Sequence, residues 1–268
     1  MRTAARARHV PPLGPLFSPR GALRFWQRNA FIFRRIFPES VAVNFIEPVI
    51  YLLAMGFGVG AYLSTIGGMP YLTFIATGLI STAAMFGATF ECTYNAYVQM
   101  YYEKAYDGVI TTPLGVEEVV VGEILWGATR SVLYGTAFLV VIVVFGTVRS
   151  PLAILIPPLF FLSGLMFSVI AMAFTAVNPS IDYFPFYFAL FITPMFMFSG
   201  IFFPLDALPG WVSVAAWLTP LSHVVSLSRA LALGSFAPRH IWDLVWMVAV
   251  TGVLFPLPLV LMRRRLLK

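Results

Sequence analysis

Five ionisable residues stand inside otherwise apolar sequence: Glu47, Glu91, Glu123, Arg130 and Asp182. A charge in hydrocarbon is costly, so each is a candidate for a substrate path, a proton relay or an ion pair. Glu47, Glu123 and Asp182 fall within about two helical turns of one predicted interface, where a solvated end or an ion pair is the commoner role. Glu123 and Arg130 share a helical face but lie about two turns apart, so each looks to another helix for its partner. Glu91 is the deepest acid after Glu47, and the sequence leaves a cavity and a packed pair equally open for it. A dense aromatic run, Phe184, Phe186, Tyr187, Phe188, Phe191, Phe196, Phe198, Phe202 and Phe203, suits sugar rings or acyl chains. Core packing is its plainer use. Glu47, Glu91, Phe191 and Phe198 are the candidate substrate-path residues.

Other chemistries are missing from the sequence. There is no G-x-x-x-x-G-K-[ST] loop, and the only lysines, Lys104 and Lys268, follow no glycine. ATP hydrolysis by that device is excluded. No G-x-S occurs, which disfavours an intramembrane serine protease of the usual pattern. His9, His223 and His240 lack metal-ligand spacing, and the single cysteine, Cys92, rules out a disulfide within the chain or a thiolate zinc site. No metal site is predicted, and Cys92 reads as a small core hydrophobe.

The elements that must position these residues are membrane helices. Of the 268 residues, 60% are hydrophobic and 10% charged, against roughly 25% charged in soluble domains. A bilayer core takes roughly 20 apolar residues as helix. Six such runs are predicted, at 41–63, 70–95, 119–145, 152–177, 183–204 and 240–262. Gly67-Gly68 with Pro70, Thr112-Pro113-Leu114-Gly115, Ser150-Pro151 and Asn178-Pro179 punctuate them. The expected fold is therefore an all-α bundle of six transmembrane helices.

Basic residues orient the bundle. Segments 1–40, 96–118, 178–182 and 263–268 carry eight, one, none and four Lys or Arg, whereas the alternate segments hold Arg149, Arg229 and Arg239. Cytoplasmic segments are the basic ones, so both termini are expected in the cytoplasm. The net charge of +6 suits anionic lipid rather than nucleic acid, given the apolar bulk between the basic clusters.

Residues 1–20, with Pro11, Pro12, Pro15 and Pro19, read as a flexible cytoplasmic lead. Residues 21–37 read as an amphipathic interfacial helix, with Trp26 and the phenylalanines among acyl chains and Arg24, Arg28, Arg34 and Arg35 reaching phosphates. The six-helix transmembrane body is 38–268. Within it, 205–238 holds two apolar pieces too short to cross, expected as re-entrant helices on the outer face. Gly56 and Gly60 allow either a close contact with a second subunit or a loosened helix end.

The inner loop 96–118 is polar and acid-rich, and reads as a short helix, a Thr-Pro-Leu-Gly turn and a new helix start. Such a compact knob suits docking. Val109, Ile110 and Leu114 are the expected apolar centre, and Glu103, Asp107, Glu117 and Glu118 the charged rim. Gly108 permits close backbone approach and Pro113 stiffens the turn.

The chain from about residue 20 onward resembles the membrane subunits of type-two ABC exporters. The resemblance rests on an interfacial helix before Asn44-Phe45-Ile46-Glu47-Pro48, then Met55-Gly56-Phe57-Gly58-Val59-Gly60, and Gly108-Val109-Ile110-Thr111-Thr112-Pro113-Leu114 at the family's coupling segment. Glu117, Glu118 and Gly122 follow it. Further on come Ser199-Gly200-Ile201-Phe202-Phe203-Pro204 and Leu218-Thr219-Pro220-Leu221-Ser222-His223. Glu47-Pro48 and Pro220-Leu221-Ser222-His223-Val224-Val225 are most similar to the branch that exports lipooligosaccharide nodulation factors. The resemblance implies a half-transporter: two copies form the pathway, and two copies of a separate ABC ATPase bind ATP and Mg. The cargo it implies is an amphipathic glycolipid, lipooligosaccharide or polysaccharide, or a hydrophobic drug. A membrane enzyme acting on lipid-linked sugars and a proton-coupled carrier are the competing classes, and both would draw on the same buried acids.

Overall fold

The computed structural model describes residues 18–110, 114–207 and 209–266, with only the backbone described at 39, 41–45, 47, 107, 109, 110 and 207. The described chain is almost entirely helical. Five stretches are long and apolar enough to cross a membrane: Tyr71–Tyr102, Val116–Val144, Pro151–Val177, Ile181–Phe198 and Arg239–Leu266. The apolar sequence run 41–63 supplies the sixth, in α1 (Pro19–Leu53) and its loosened continuation to Ala61, of which Pro48–Ala61 is a shorter apolar helix.

The helix α1 merges two pieces that the sequence separates. It runs unbroken through Pro38 and Pro48, so the interfacial segment and the first span are one helix. Each proline removes one backbone hydrogen bond, but no glycine or turn sequence lies between them to end the helix. Beyond Leu53 the winding slackens to a π turn at Ala54–Gly58 and a 3-10 turn at Val59–Ala61. Gly56 is buried there against Leu72. This is the loosened-end reading of the Gly56/Gly60 pair.

A two-residue hairpin reverses the chain. β1 (Thr65–Ile66) pairs antiparallel with β2 (Met69–Pro70). Gly67 and Gly68 take φ of +56° and +78° at its tip, a conformation open to glycine. Then α2 (Tyr71–Phe90) leads through π turns to Tyr102. The short α3 (Ala105–Ile110) and the long α4 (Val116–Val144) follow, with Thr111, Thr112 and Pro113 between them outside the described residues.

The chain returns in α5 (Ile156–Val177) and crosses again in α6 (Phe184–Tyr187) and α7 (Thr193–Phe198), joined by a π turn. Next come α8 (Gly210–Trp217) and α9 (Pro220–Leu233), bent by 86° at a short break. The last crossing is α10 (Arg239–Leu254) continued by α11 (Pro256–Leu266).

Contacts sort the connections onto two ends. At one end Ser18 meets Glu118, Arg263 meets Glu117, and Tyr97 bonds the Pro179 carbonyl. We call it the basic end. At the other end the Arg149 and Ser150 N–H groups donate to the Ala232 carbonyl, at 2.8 and 3.2 Å. Gly200 sits there beside Arg229. Residues 200 and 232 thus share one end, so the α8–α9 elbow enters and leaves on the same side without crossing. The main core joins α2, α4, α5 and α9 through Ile75, Leu79, Phe138, Phe160, Phe167 and Val224. A second cluster at the basic end includes Phe25, Tyr97, Tyr106, Val120 and Met262.

Candidate functional site

The predicted docking segment sits at the basic end, tied to α1 and α11. Glu118 opens α4, and its Oε1 accepts the Ser18 backbone N–H at 3.0 Å. Carboxylate and helix dipole agree twice, because Glu118 lies at the N-termini of both α1 and α4. The contact is tight. A Cβ on Gly21 would lie 2.8 Å from Glu118 Cγ and from Leu114 Cδ2, and one on Gly122 would lie 2.7 Å from the Ala22 carbonyl. Glycine at both positions lets the α1 and α4 backbones approach.

This corrects the expected rim. Glu118 is buried, because it accepts the N–H of Ser18, the residue before α1, rather than facing a partner. Glu117 is half-exposed and paired with Arg263 at 3.2 Å, an ion pair of small worth at such exposure. Glu103 and Gly108 are exposed, with open space where a Gly108 side chain would be. Leu114 is half-buried against Gly21. The side chains of Asp107, Val109 and Ile110, and all of Pro113, lie outside the described residues.

Tyr106 anchors α3, a role the sequence reading missed. It is fully buried, edge-on to Phe25 with ring centres 5.9 Å apart. The C-terminus closes the platform: Arg265 donates to the Thr175 and Ala176 carbonyls at 2.6 and 3.3 Å.

One turn deeper, α1, α2 and α4 exchange polar bonds. Arg130 pairs with Glu91 at 3.2 Å, and Asn95 donates to the same carboxylate oxygen at 2.8 Å. Asn29 donates to Glu123 at 2.7 Å, and Arg28 donates to Asn29 and Gln99, both at 3.0 Å. Arg130 also lies 4.3 Å over the Phe33 ring. Glu123 and Arg130 thus bond to other helices and not to each other. Asn29 was not singled out in the sequence. A buried acid on a facing helix needs a donor, yet sequence spacing does not say which one.

The α1 face differs in part from the lipid-bound picture. Trp26 donates from its indole to Thr129 Oγ1 at 2.8 Å, and Phe25 and Phe33 pack inward, so these three are not acyl-chain anchors. Arg28 turns inward to amides, whereas Arg24, Arg34 and Arg35 are exposed. The helix has too many aromatics for one outward face, and those in register with α4 go inside.

The candidate path residues do not converge. Glu91 lines a cleft between α1, α2 and α4. Phe191 lines a separate cavity of about 560 Å³ with Phe174, Tyr183, Phe186 and Leu190. Phe198 meets Phe203 near the opposite end, and the Glu47 side chain lies outside the described residues. Part of the aromatic run is packing: Phe188 stacks on Phe90 at 4.6 Å, and Phe184 meets Tyr94 at 4.9 Å. Asp182 is an exposed helix-start acid bonded by Ser180.

Two further clusters hold the elbow. Asp243 bonds His223 Nδ1 at 2.7 Å and Ser226 Oγ at 2.8 Å, while His223 stacks on Trp246 at 4.2 Å. Because serine and histidine both bond to the aspartate, they form no nucleophile–base relay. Arg229 donates to the Phe74 and Gly200 carbonyls at 3.1 and 3.0 Å and lies 3.9 Å over Phe74. It pins α9 to α2 and to the turn after α7.

Comparison with known proteins fits this architecture. Residues 22–233 match the family described as ABC-2 type transporter. The chain is 35% identical to Nodulation protein J of Rhizobium leguminosarum bv. viciae over 260 residues, covering 96% of this chain and 100% of that one. It is 35% identical to Nodulation protein J of Sinorhizobium fredii over 216 residues, 81% of this chain and 82% of the relative. Inner membrane transport permease YadH of Escherichia coli is 23% identical over 216 residues, 78% and 81% of the two chains. A six-crossing helical bundle without its own phosphate loop, matched over most of its length, belongs to the ABC-2 type transporter family as a multi-pass transmembrane exporter subunit that works with a separate ATPase and is not itself an enzyme.

Proposed function

We propose that this chain forms the membrane half of a homodimeric exporter carrying an amphipathic glycolipid or lipooligosaccharide out across a bacterial inner membrane. Two copies of a cytoplasmic ABC ATPase hold ATP and Mg and dock on the basic end. Both termini and residues 96–118 face the cytoplasm. The exposed Arg24, Arg34 and Arg35 meet anionic lipid. The observation that carries the coupling is the platform in which α3, the starts of α1 and α4, and the C-terminal arginines are bonded together. A push on α3 reaches Phe25 through Tyr106, and so reaches the whole of α1. The cargo class is supported by the Nodulation protein J relatives, with polysaccharide and hydrophobic drugs as the neighbouring classes.

The test is transport. Inverted vesicles holding the chain and its ATPase should take up a fluorescent lipooligosaccharide when ATP is added, and not with a non-hydrolysable analogue. Uptake that ignores ATP but follows a proton gradient would replace this reading with the carrier.

A further inference from the structure

We propose that the cleft between α1, α2 and α4 at the basic end binds the sugar head of the amphipathic cargo. The inference rests on the exporter reading above and names a binding site within it. The cleft is open on one side and holds about 180 Å³, which suits one sugar ring rather than a chain. Its polar lining is mostly amide and carboxylate: Asn29, Asn95, Gln99, Glu91 and Glu103. Amides both donate and accept, as hydroxyl-rich ligands require.

Charge in the cleft nearly cancels. Glu91 is held by Arg130, Arg28 bonds the lining residues Asn29 and Gln99, and Glu103 is the other lining acid. A neutral ligand is therefore favoured over an ion. Among the described residues the buried Arg130 Nε–H has no partner, a donor left over in the wall.

The rim has the opposite character. Ile32 and Ile36 line the cleft and are 46% and 44% exposed. Ile32 and Ile36 stand one turn apart on an exposed side of α1. An acyl tail lying along them stays in hydrocarbon while its head turns inward. A pocket with an apolar lip and a few placed polar groups is the usual form of a site for such a ligand.

The test uses the chain with its ATPase in lipid nanodiscs and a diazirine-tagged dodecyl glucoside as the probe. Labelling should map to peptides spanning 29–36 and 95–103. Excess dodecyl glucoside should suppress it, and dodecylphosphocholine should not. The double variant Asn95→Leu, Gln99→Leu should lose about tenfold in labelling while still co-eluting with the ATPase. Equal competition by dodecylphosphocholine would make the cleft a plain lipid groove and overturn the proposal. Unchanged labelling in the double variant would overturn it too, as would labels lying elsewhere. If either occurs while ATP-driven uptake persists, the exporter reading stands and only this site falls.

Discussion

Glu118 Oε1 accepts the Ser18 backbone N–H at 3.0 Å, so the first acid turn of α4 caps the first turn of α1 across 100 residues of sequence. Two helices that enter the bundle from the same end are thereby locked at their starts. Any movement of the α3–α4 junction is carried to α1.

Replacing that carboxylate should loosen the junction. Glu118→Ala should cost about 1–2 kcal/mol, the range for removing a helix cap, and Glu118→Gln less, because the amide oxygen still accepts. Thermal unfolding in detergent would rank the three proteins. Equal stability of Glu118→Ala and the parent would mean that the cap contributes nothing.

The Glu91–Arg130 pair should behave as a buried couple. Breaking it by Arg130→Leu strands a carboxylate and should cost about 3–5 kcal/mol. Adding Glu91→Leu to that variant should restore much of the loss, since replacing both charges by apolar groups is often neutral. A double-mutant cycle on unfolding free energy gives the coupling directly, and additive losses would contradict the pairing.

Tyr106 separates ring from hydroxyl. Its ring fills the space against Phe25, while its buried hydroxyl has no hydrogen-bond partner among the described residues. Tyr106→Phe should leave stability equal or raised, because an unsatisfied polar group is removed. Tyr106→Ala should cost about 3–5 kcal/mol, as other large aromatic truncations do, and should uncouple ATP turnover from uptake. Equal effects of the two substitutions would deny the ring its anchoring role.

Much of the architecture is legible in the sequence because hydrocarbon imposes it. Length and hydropathy mark the crossings, Gly67-Gly68 marks the hairpin, and the short pieces after Pro204 mark the elbow. What the sequence hides is side-chain direction. Glu118 looks like a solvated acid beside Glu117, and only the position of α1 shows that it faces inward. The continuity of α1 through Pro38 is equally hidden, because a proline in a helix is usually read as its end. Asn29 and Glu123 are 94 residues apart, and nothing in either neighbourhood names the other.

Topology has its own check. Glu103 and Trp211 are both exposed and lie at opposite ends of the bundle. Cysteines placed there one at a time should be labelled from opposite faces of sealed vesicles, with the native Cys92 silent because it is buried. Labelling of both from one face would refute the six-crossing arrangement.

The central claim is that α3 transmits ATPase motion to the bundle, and Ile110→Asp tests it most directly. The backbone of Ile110 closes α3, outside the crossing helices, so membrane insertion should be unaffected. Interface anchors typically cost about 2 kcal/mol or more when lost, and a carboxylate at an apolar contact should cost at least as much. The account predicts that the Ile110→Asp chain inserts normally, fails to co-elute with the ATPase and shows no ATP-driven uptake. A variant that co-elutes and transports like the parent would contradict the account and reduce α3 to a connector.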